Sequence, residues 1–241
     1  MSEPALGGKI RETERAVAPA HAYGASPPSG SHHFDRHAFH LLRKPDNLSA
    51  SLDEVEVARA QEYAFLALLL SQAPTADLLS RLGALHVDPS PLGLAHAALG
   101  TAARQTDAER AGREYFDLFI GLGRGELLPY GSYYLTGFLH ERPLARLRND
   151  LAHIGIARAE DNPEPEDHAA ILCEIMSGVI GRTFAAPAGT DRQIFEKHMA
   201  PWMGRFFGDL ERAEMAKFYR AVGTVGRTFI DIETQAFALP S

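Results

Sequence analysis

Apolar side chains recur at every third or fourth position along most of this chain, from about residue 51 to residue 237. This period matches the turn of an α-helix, so the apolar residues share one face of each successive helix. No stretch alternates apolar and polar residues over the length of a strand with an enrichment in β-branched residues. We therefore predict an all-α fold, a single compact multi-helix bundle with no sheet.

Polar residues and prolines predict where several helices begin. Ser51–Glu54 and Thr106–Glu109 each have the spacing of a capping box, in which two side chains satisfy unpaired backbone N–H groups. Ser90 followed by Pro91 is typical of a helix start with proline in the first turn. The last and longest helix is predicted over about residues 213–237. Its apolar face is expected to consist of Met215, Phe218, Tyr219, Val222, Val225, Phe229, Ile232 and Ala236.

The first 48 residues differ from the rest, because they are rich in Gly, Pro, Ala, Ser and His and have no sustained period. We predict a flexible N-terminal extension over residues 1–48 and one helical domain over residues 49–241. Imidazole groups are common metal ligands, so an alternative function is metal or cofactor trafficking through this extension. No cysteine or carboxylate cluster joins its candidate ligands, which are His32, His33, His37 and His40.

Composition narrows the classes of partner. The 241 residues carry a formal net charge of -7, which argues against nucleic acid as the main partner. No apolar run approaches the roughly 18 residues that a membrane span needs, so no stable membrane insertion is expected. We predict a cytoplasmic protein, because no signal-peptide pattern is present and the single cysteine, Cys173, excludes an intramolecular disulfide.

The segment Pro163–His168 combines two prolines, three carboxylates and a histidine ahead of an apolar helical run. Pro165 fits the first turn of that helix, and Glu166 and Asp167 suit the positive end of its dipole. Charge and spacing alone also allow a cation site or an acid–base pair of Asp167 and His168. The carboxylates of Glu164, Glu166 and Asp167 would form a negative patch that fits a ligand carrying arginines.

Two further loops carry candidate chemistry. Pro129–Tyr134 has three tyrosines in five positions, which suits either a binding surface or ordinary packing. Gly121–Gly125 lacks the Lys-Ser/Thr of a phosphate-binding loop, so we predict a tight turn that ends a helix. The chain contains no nucleophile elbow, zinc-protease motif or paired cysteines. An enzyme would therefore have to use Glu166, Asp167 and His168 as acid–base residues, and no bound cofactor is predicted.

Two sequence motifs, one around Tyr115 and a later one around Glu164, make the chain resemble the TorD/DmsD/NarJ family of redox-enzyme maturation chaperones. Tyr115–Phe119, followed by Gly121, is similar to the family's aromatic-x-x-Leu-Phe segment, and Glu164–His168 is similar to its Glu-Pro-x-Asp-His signature. The resemblance extends from about Val55 to Phe237. The chain departs from it after Phe119, where many members have a Gly-Pro step. Secondary matches are Pro129–Tyr134, His198, Pro201–Trp202, Phe218–Arg220 and Glu233.

The resemblance implies a cytoplasmic chaperone of TorD-like fold and not an enzyme. Its expected partners are the apo catalytic subunit of a molybdenum-cofactor oxidoreductase and the twin-arginine leader of that subunit. The client would be of the formate dehydrogenase or sulfoxide/N-oxide reductase type, held until its molybdopterin guanine dinucleotide is inserted. Family members can also form domain-swapped homodimers. The binding residues that the resemblance implies are Tyr115, Leu118, Phe119, Tyr130, Ser132, Tyr134, Glu164, Pro165, Asp167 and His168.

Weak GTP binding has been discussed for some members of this family. The Gly121–Gly125 loop of this chain gives no specific support to such binding.

Overall fold

The computed structural model describes residues 52–85, 88–156 and 164–239, and its regular structure is helical throughout. Two segments, Phe116–Ile120 and Phe195–Met199, are π-helical. The described residues contain no strand, so the prediction of an all-α fold is confirmed. The α-helices are α1 (Glu54–Ser71), α2 (Ala76–Gly83), α3 (Pro91–Arg104), α4 (Ala108–Tyr115), α5 (Gly131–Thr136), α6 (Arg142–His153), α7 (Ala169–Ile180), α8 (Thr190–Ile194), α9 (Met203–Arg212) and α10 (Phe218–Ala238).

The predicted extension over residues 1–48, with its four histidines, lies outside the described residues. The predicted boundary with the helical domain lies there too and stays a prediction. Among the residues that the structure does describe, no helix is both long enough and apolar enough to cross a membrane.

Helix α7 is the most apolar helix of the bundle and packs mainly against α1. Leu172, Cys173 and Met176 are fully buried there, against a face of α1 that includes Leu66 and Leu69. Burial of a leucine or methionine side chain such as Leu172 or Met176 stabilises the fold by about 1.5–3 kcal/mol, because its apolar surface is removed from water. Burial also raises the pKa of the Cys173 thiol, so this cysteine is an inert part of the core.

Helix α10 forms the second half of the core, against α9 and α3. Gly226 allows a close approach to α9, because a Cβ atom there would lie 2.2 Å from the ring of Phe207. At its far end, Glu233 is buried and joins α10 to α1. Arg59 donates to Glu233 through Nε at 2.8 Å, and the Tyr63 hydroxyl donates to it at 3.0 Å.

Several helix starts differ from the sequence prediction. Helix α1 has its capping box at Asp53 and Glu56, so the box predicted at Ser51–Glu54 is wrong by two residues. Helix α4 is capped by Asp107, whose carboxylate accepts from the backbone N–H of Arg110 at 2.8 Å. In both helices an aspartate in extended conformation takes the N-cap position, because a carboxylate is a strong acceptor for the free N–H groups. The start predicted at Ser90 and Pro91 is confirmed.

The start of α10 is also corrected. It begins at Phe218 and not near residue 213, and Met215 and Ile232 are 46% and 39% exposed in place of the predicted burial. Ala236 is exposed as well. The residues before Phe218 are held in a turn, because the carboxylate of Glu126 accepts from the backbone N–H groups there.

The loop after the Tyr115–Phe119 motif is a tight turn, as predicted. The π-helical segment closes with a hydrogen bond from the N–H of Gly121 to the carbonyl of Phe116 at 2.7 Å. Gly121 has a φ of 62°, and a Cβ atom there would lie 2.0 Å from the carbonyl oxygen of Arg124. A glycine is therefore required at this position.

Candidate functional site

The two signature segments of the sequence are joined in the structure. Tyr130 and His168 form an antiparallel β-bridge, which is isolated from any strand. The N–H of Ala169 donates to the carbonyl of Pro129 at 2.8 Å, and the N–H of Gly131 donates to the carbonyl of Asp167 at 2.9 Å. The tyrosine-rich loop and the Glu-Pro-x-Asp-His segment therefore form one unit, although the bridged residues Tyr130 and His168 are 38 positions apart in the sequence.

Asp167 is an internal support of this unit. It is 3% exposed, and its Oδ2 atom accepts from the backbone N–H of Ser132 at 2.7 Å. That N–H belongs to the first turn of α5, which has no side-chain cap of its own. Asp167 therefore caps α5. The sequence had predicted that it would lie at the start of α7, and that prediction is wrong. The placement of Pro165 is corrected too, because α7 begins at Ala169 and Pro165 precedes its first turn.

His168 caps α7. Its Nδ1 atom accepts from the N–H of Ala170 at 3.1 Å, so the ring is neutral with its proton on Nε2. Burial lowers the pKa of this imidazole, which is consistent with the neutral form. The ring also meets that of Tyr130 edge-on, with centroids 5.0 Å apart. Asp167 and His168 thus serve different backbone groups and do not form the acid–base pair that the sequence had left open.

The three carboxylates of the segment have separate environments. Glu166 forms an ion pair with Arg148 of α6 at 2.8 Å, and its side chain is only 11% exposed. Glu164 is half-buried and accepts from the hydroxyl of Tyr130 at 2.8 Å. Burial, together with this bond, raises the pKa of Tyr130. With Asp167 buried, Glu164 is the carboxylate of this segment with the most access to the surface.

The first motif approaches the same place through Tyr115. Burial, and then the charge of Glu164, raise the pKa of Tyr115 to about 12. The Tyr115 ring packs against Phe119 and Tyr219, with centroids 5.2 and 5.9 Å away. Tyr115 and Phe119 are half-buried, whereas Leu118 is fully buried in the core. The structure therefore brings Tyr115, Tyr130 and Glu164 together.

Tyr134 takes part in a different contact. Its hydroxyl donates to Asp209 at 3.1 Å, and its ring packs against Trp202 and Phe206 at 5.4 and 5.9 Å between centroids.

The predicted binding residues differ in burial, and Ser132 is fully buried. Of the ten predicted binding residues, four are buried supports, namely Leu118, Ser132, Asp167 and His168. The other six are half-buried and reach the surface, namely Tyr115, Phe119, Tyr130, Tyr134, Glu164 and Pro165.

Next to this unit lies a cleft that the sequence did not predict. It has a volume of about 720 Å³ and is bordered by α5, by α6, by the second π-helical segment and by Asp167. Its two arginines, Arg142 and Arg146, lie on the exposed side of the amphipathic helix α6. In the sequence they cannot be distinguished from arginines that only face solvent. The lining residues are Gly131, Leu135, Arg142, Pro143, Ala145, Arg146, Leu147, Asn149, Asp150, Asp167, Lys197 and His198.

Two buried oxygens of the site lack a hydrogen-bond partner among the described residues. They are Ser132 Oγ and Asp167 Oδ1. A search of the same residues finds no group of three or more His, Cys, Asp or Glu side chains placed to hold a metal ion.

Comparison with known proteins identifies the family. Residues 86–208, just over half of the chain, match the family model described as nitrate reductase delta subunit. The chain belongs to the TorD/DmsD/NarJ family. Both signature segments of this family member, and the bridge between them, lie inside the matched region.

Individual TorD/DmsD/NarJ family relatives align with a larger part of this chain than the family model does. The chaperone protein TorD of Aliivibrio fischeri is 26% identical over 75% of this chain and 94% of its own length. The chaperone protein TorD of Vibrio atlanticus is 24% identical over 58% of this chain and 71% of its own length. A crystal structure from Archaeoglobus fulgidus, provisionally described as a redox enzyme maturation protein, has a TM-score of 0.51. It is 21% identical, covers 72% of this chain and 93% of its own, and agrees with the fold.

Proposed function

We propose that this protein is a cytoplasmic chaperone that binds the apo catalytic subunit of a molybdenum-cofactor oxidoreductase, together with its twin-arginine leader. It would hold the subunit while the cofactor is inserted and the subunit folds. The client would be of the formate dehydrogenase or sulfoxide/N-oxide reductase type. The proposal rests mainly on family membership across the region that carries both signature segments. The chaperone name of the Aliivibrio fischeri relative, which aligns over nearly its whole length, supports it.

The geometry supports binding and not catalysis. His168 is neutral and engaged as a helix cap, and Asp167 is buried against the N–H of Ser132. A general acid or base must reach the proton that it transfers, and these two side chains are turned to backbone groups. The surface of the unit is instead made of half-buried aromatic rings around one carboxylate, which is typical of a peptide-binding surface.

Glu164 is the group that we expect to meet an arginine of the leader. The hydrogen bond from Tyr130 fixes the position of this half-buried carboxylate, and carboxylates form strong charge-assisted pairs with guanidinium groups. Pro165 stiffens the segment next to it, and Tyr115 and Tyr130 offer apolar surface for the neighbouring residues of the leader. Glu166 and Asp167 contribute indirectly, because their carboxylates already hold Arg148 and Ser132.

The test is isothermal titration calorimetry of the full chain with two probes from the molybdoenzyme gene next to its own. One probe is the synthetic twin-arginine leader, and the other is the whole apo subunit. We expect micromolar or tighter binding of at least one of them. Absence of binding by both would remove the support for the proposal.

Three variants distinguish the binding surface from its supports. Glu164→Gln should weaken leader binding about fivefold to thirtyfold, because a charge-assisted bond contributes about 1–2 kcal/mol, with little change in melting temperature. Asp167→Asn should lower the melting temperature while affinity per folded molecule changes less. Glu214→Gln removes an exposed charge elsewhere and is the matched control. Equal leader affinity for Glu164→Gln and Glu214→Gln would exclude Glu164 from the binding surface.

A further inference from the structure

The cleft beside α6 has a positive lining on a chain that is negative overall. Arg142 and Arg146 lie one turn apart on α6, and both are exposed. Neither has a hydrogen bond or an ion pair among the described residues, although both line the cleft. Lys197 adds a third cation from the opposite side. This concentration of charge contrasts with the formal net charge of -7 for the whole chain.

The start of α6 adds to the positive potential. Arg142 and Pro143 form its first turn, and the side chain of Glu141, at the N-cap, makes no capping hydrogen bond. The first N–H groups of a helix carry a partial positive charge of about half an elementary charge. The helix terminus and the unpaired guanidinium groups therefore favour the same sign of ligand.

The carboxylates of the cleft lining are those of Asp150 and Asp167. Asp150 accepts from His198 at 2.9 Å and from Lys197 at 3.3 Å, and the hydrogen bond from His198 is the main cause of the lowered pKa of Asp150. Asp167 accepts from Ser132 through Oδ2, whereas its buried Oδ1 has no partner among the described residues. Asp150 offsets Lys197, and neither carboxylate forms an ion pair with the two α6 arginines among the described residues, so the α6 side keeps its positive character.

The rest of the lining favours a peptide over a nucleotide. Among the described residues that line the cleft, none is Phe, Tyr or Trp, and the His198 ring is only 9% exposed and is bonded to Asp150, so little aromatic surface is open to a base. Gly131 is the only glycine of that lining, which does not make a phosphate-binding loop. Leu135 contributes apolar surface and is 43% exposed, and Phe138, three residues along the chain, is 69% exposed. Such a lining suits an extended segment with both acidic and apolar side chains.

We propose that the cleft binds an acidic segment of the client polypeptide, with client carboxylates at Arg142 and Arg146 and client apolar side chains at Leu135. This inference rests on the proposed chaperone function and names a second contact between the two proteins. The contact is separate from that of the leader, since the cations of the cleft repel the arginines of a twin-arginine sequence. The client would therefore contact the chaperone at two places, with an acidic segment in the cleft and the leader at the surface around Glu164.

Fluorescence anisotropy with a labelled peptide of three Ser-Glu-Leu-Glu repeats tests the cleft directly. Arg142→Gln combined with Arg146→Gln should weaken binding at least about tenfold, and high salt should weaken the wild type more than this variant. The matched control combines Arg110→Gln and Arg220→Gln, which removes two exposed charges elsewhere and should change affinity less than about twofold. Thermal unfolding of all variants checks that each is folded.

The same double variant is then tested with the apo subunit. Weaker binding of both the peptide and the subunit supports the inference. Unchanged binding of the subunit overturns it while leaving the chaperone function intact. If the wild type binds no subunit but binds the acidic peptide through both arginines, the chaperone function fails and the acidic-peptide site stands. Arginine-dependent binding of ATP or inorganic phosphate that is tighter than binding of the peptide overturns the choice of a peptide ligand.

Discussion

Removal of the Glu114 carboxylate tests how the N-terminus of α10 is held in place. Glu114 lies on α4 and is 8% exposed. Its carboxylate accepts from the backbone N–H groups of Lys217, Phe218 and Tyr219 at 2.7, 3.1 and 2.7 Å. Helix α10 has no side-chain cap at its own N-cap residue. One carboxylate from another helix therefore satisfies the free donors of the longest helix.

The cost of Glu114→Ala follows from those three bonds. The N–H groups of Phe218 and Tyr219 form buried bonds, whereas that of Lys217 is near the surface and can be hydrated. A hydrogen bond to a charged group contributes about 1.5–3 kcal/mol, so the loss of two buried bonds costs about 3–6 kcal/mol. In a domain of this size, 1 kcal/mol corresponds to about 2–4 °C, so the melting temperature should fall by about 6 °C or more.

The assay is urea denaturation and thermal unfolding, followed by circular dichroism. The matched control is Glu109→Ala on the same helix, because Glu109 is exposed and its ion pair among the described residues is with Arg113, one turn away. An exposed pair of this kind contributes about 0.3–0.5 kcal/mol. A difference of less than about 1 kcal/mol between the two variants would refute the argument that Glu114 caps α10.

Two further predictions concern packing and pH. Gly226→Ala should destabilise the fold in urea denaturation, because its Cβ would lie 2.2 Å from the Phe207 ring. The control is Gly204→Ala, whose Cβ would lie at an ordinary contact distance of 3.9 Å from Ile230. It should be neutral or stabilise the fold by up to about 1 kcal/mol. The hydrogen bond to Glu62 at 3.0 Å raises the pKa of His96 above 6.5. Its stabilisation is therefore complete below pH 6.5 and is lost as the pH rises through the raised pKa. The stability difference between wild type and His96→Gln should shrink above pH 6.5, and a difference that grows instead would contradict this assignment.

Part of the candidate site could be predicted from the sequence. The family resemblance implied one binding region around Tyr115, Tyr130 and Glu164. The structure joins Tyr130 to Glu164 by a hydrogen bond and places Tyr115 where the charge of Glu164 helps to raise its pKa, while the binding role of these residues stays a prediction. Composition and charge predicted an acidic patch, but two of its three carboxylates are held internally. The partner of Asp167 is a backbone N–H 35 residues away, and no local pattern marks such a pair.

Local sequence determined the helices themselves. The period of apolar residues, the Ser90–Pro91 start and the glycine at position 121 act within a few residues of the chain, so they can be read before the fold is known. The all-α class, the apolar run of α7 and the turn after the first motif follow from them.

Tertiary structure alone decided which groups complete the helix ends and which stay open to a ligand. Glu114 of α4 caps α10, Asp167 of the loop before α7 caps α5, and Glu166 is paired with an arginine of α6. Arg142 and Arg146 have no ion pair among the described residues and lie beside a cleft, although in the sequence they look like part of any exposed helix face. The physical reason is that burial and pairing depend on distances across the bundle, which the order of residues along one helix does not contain.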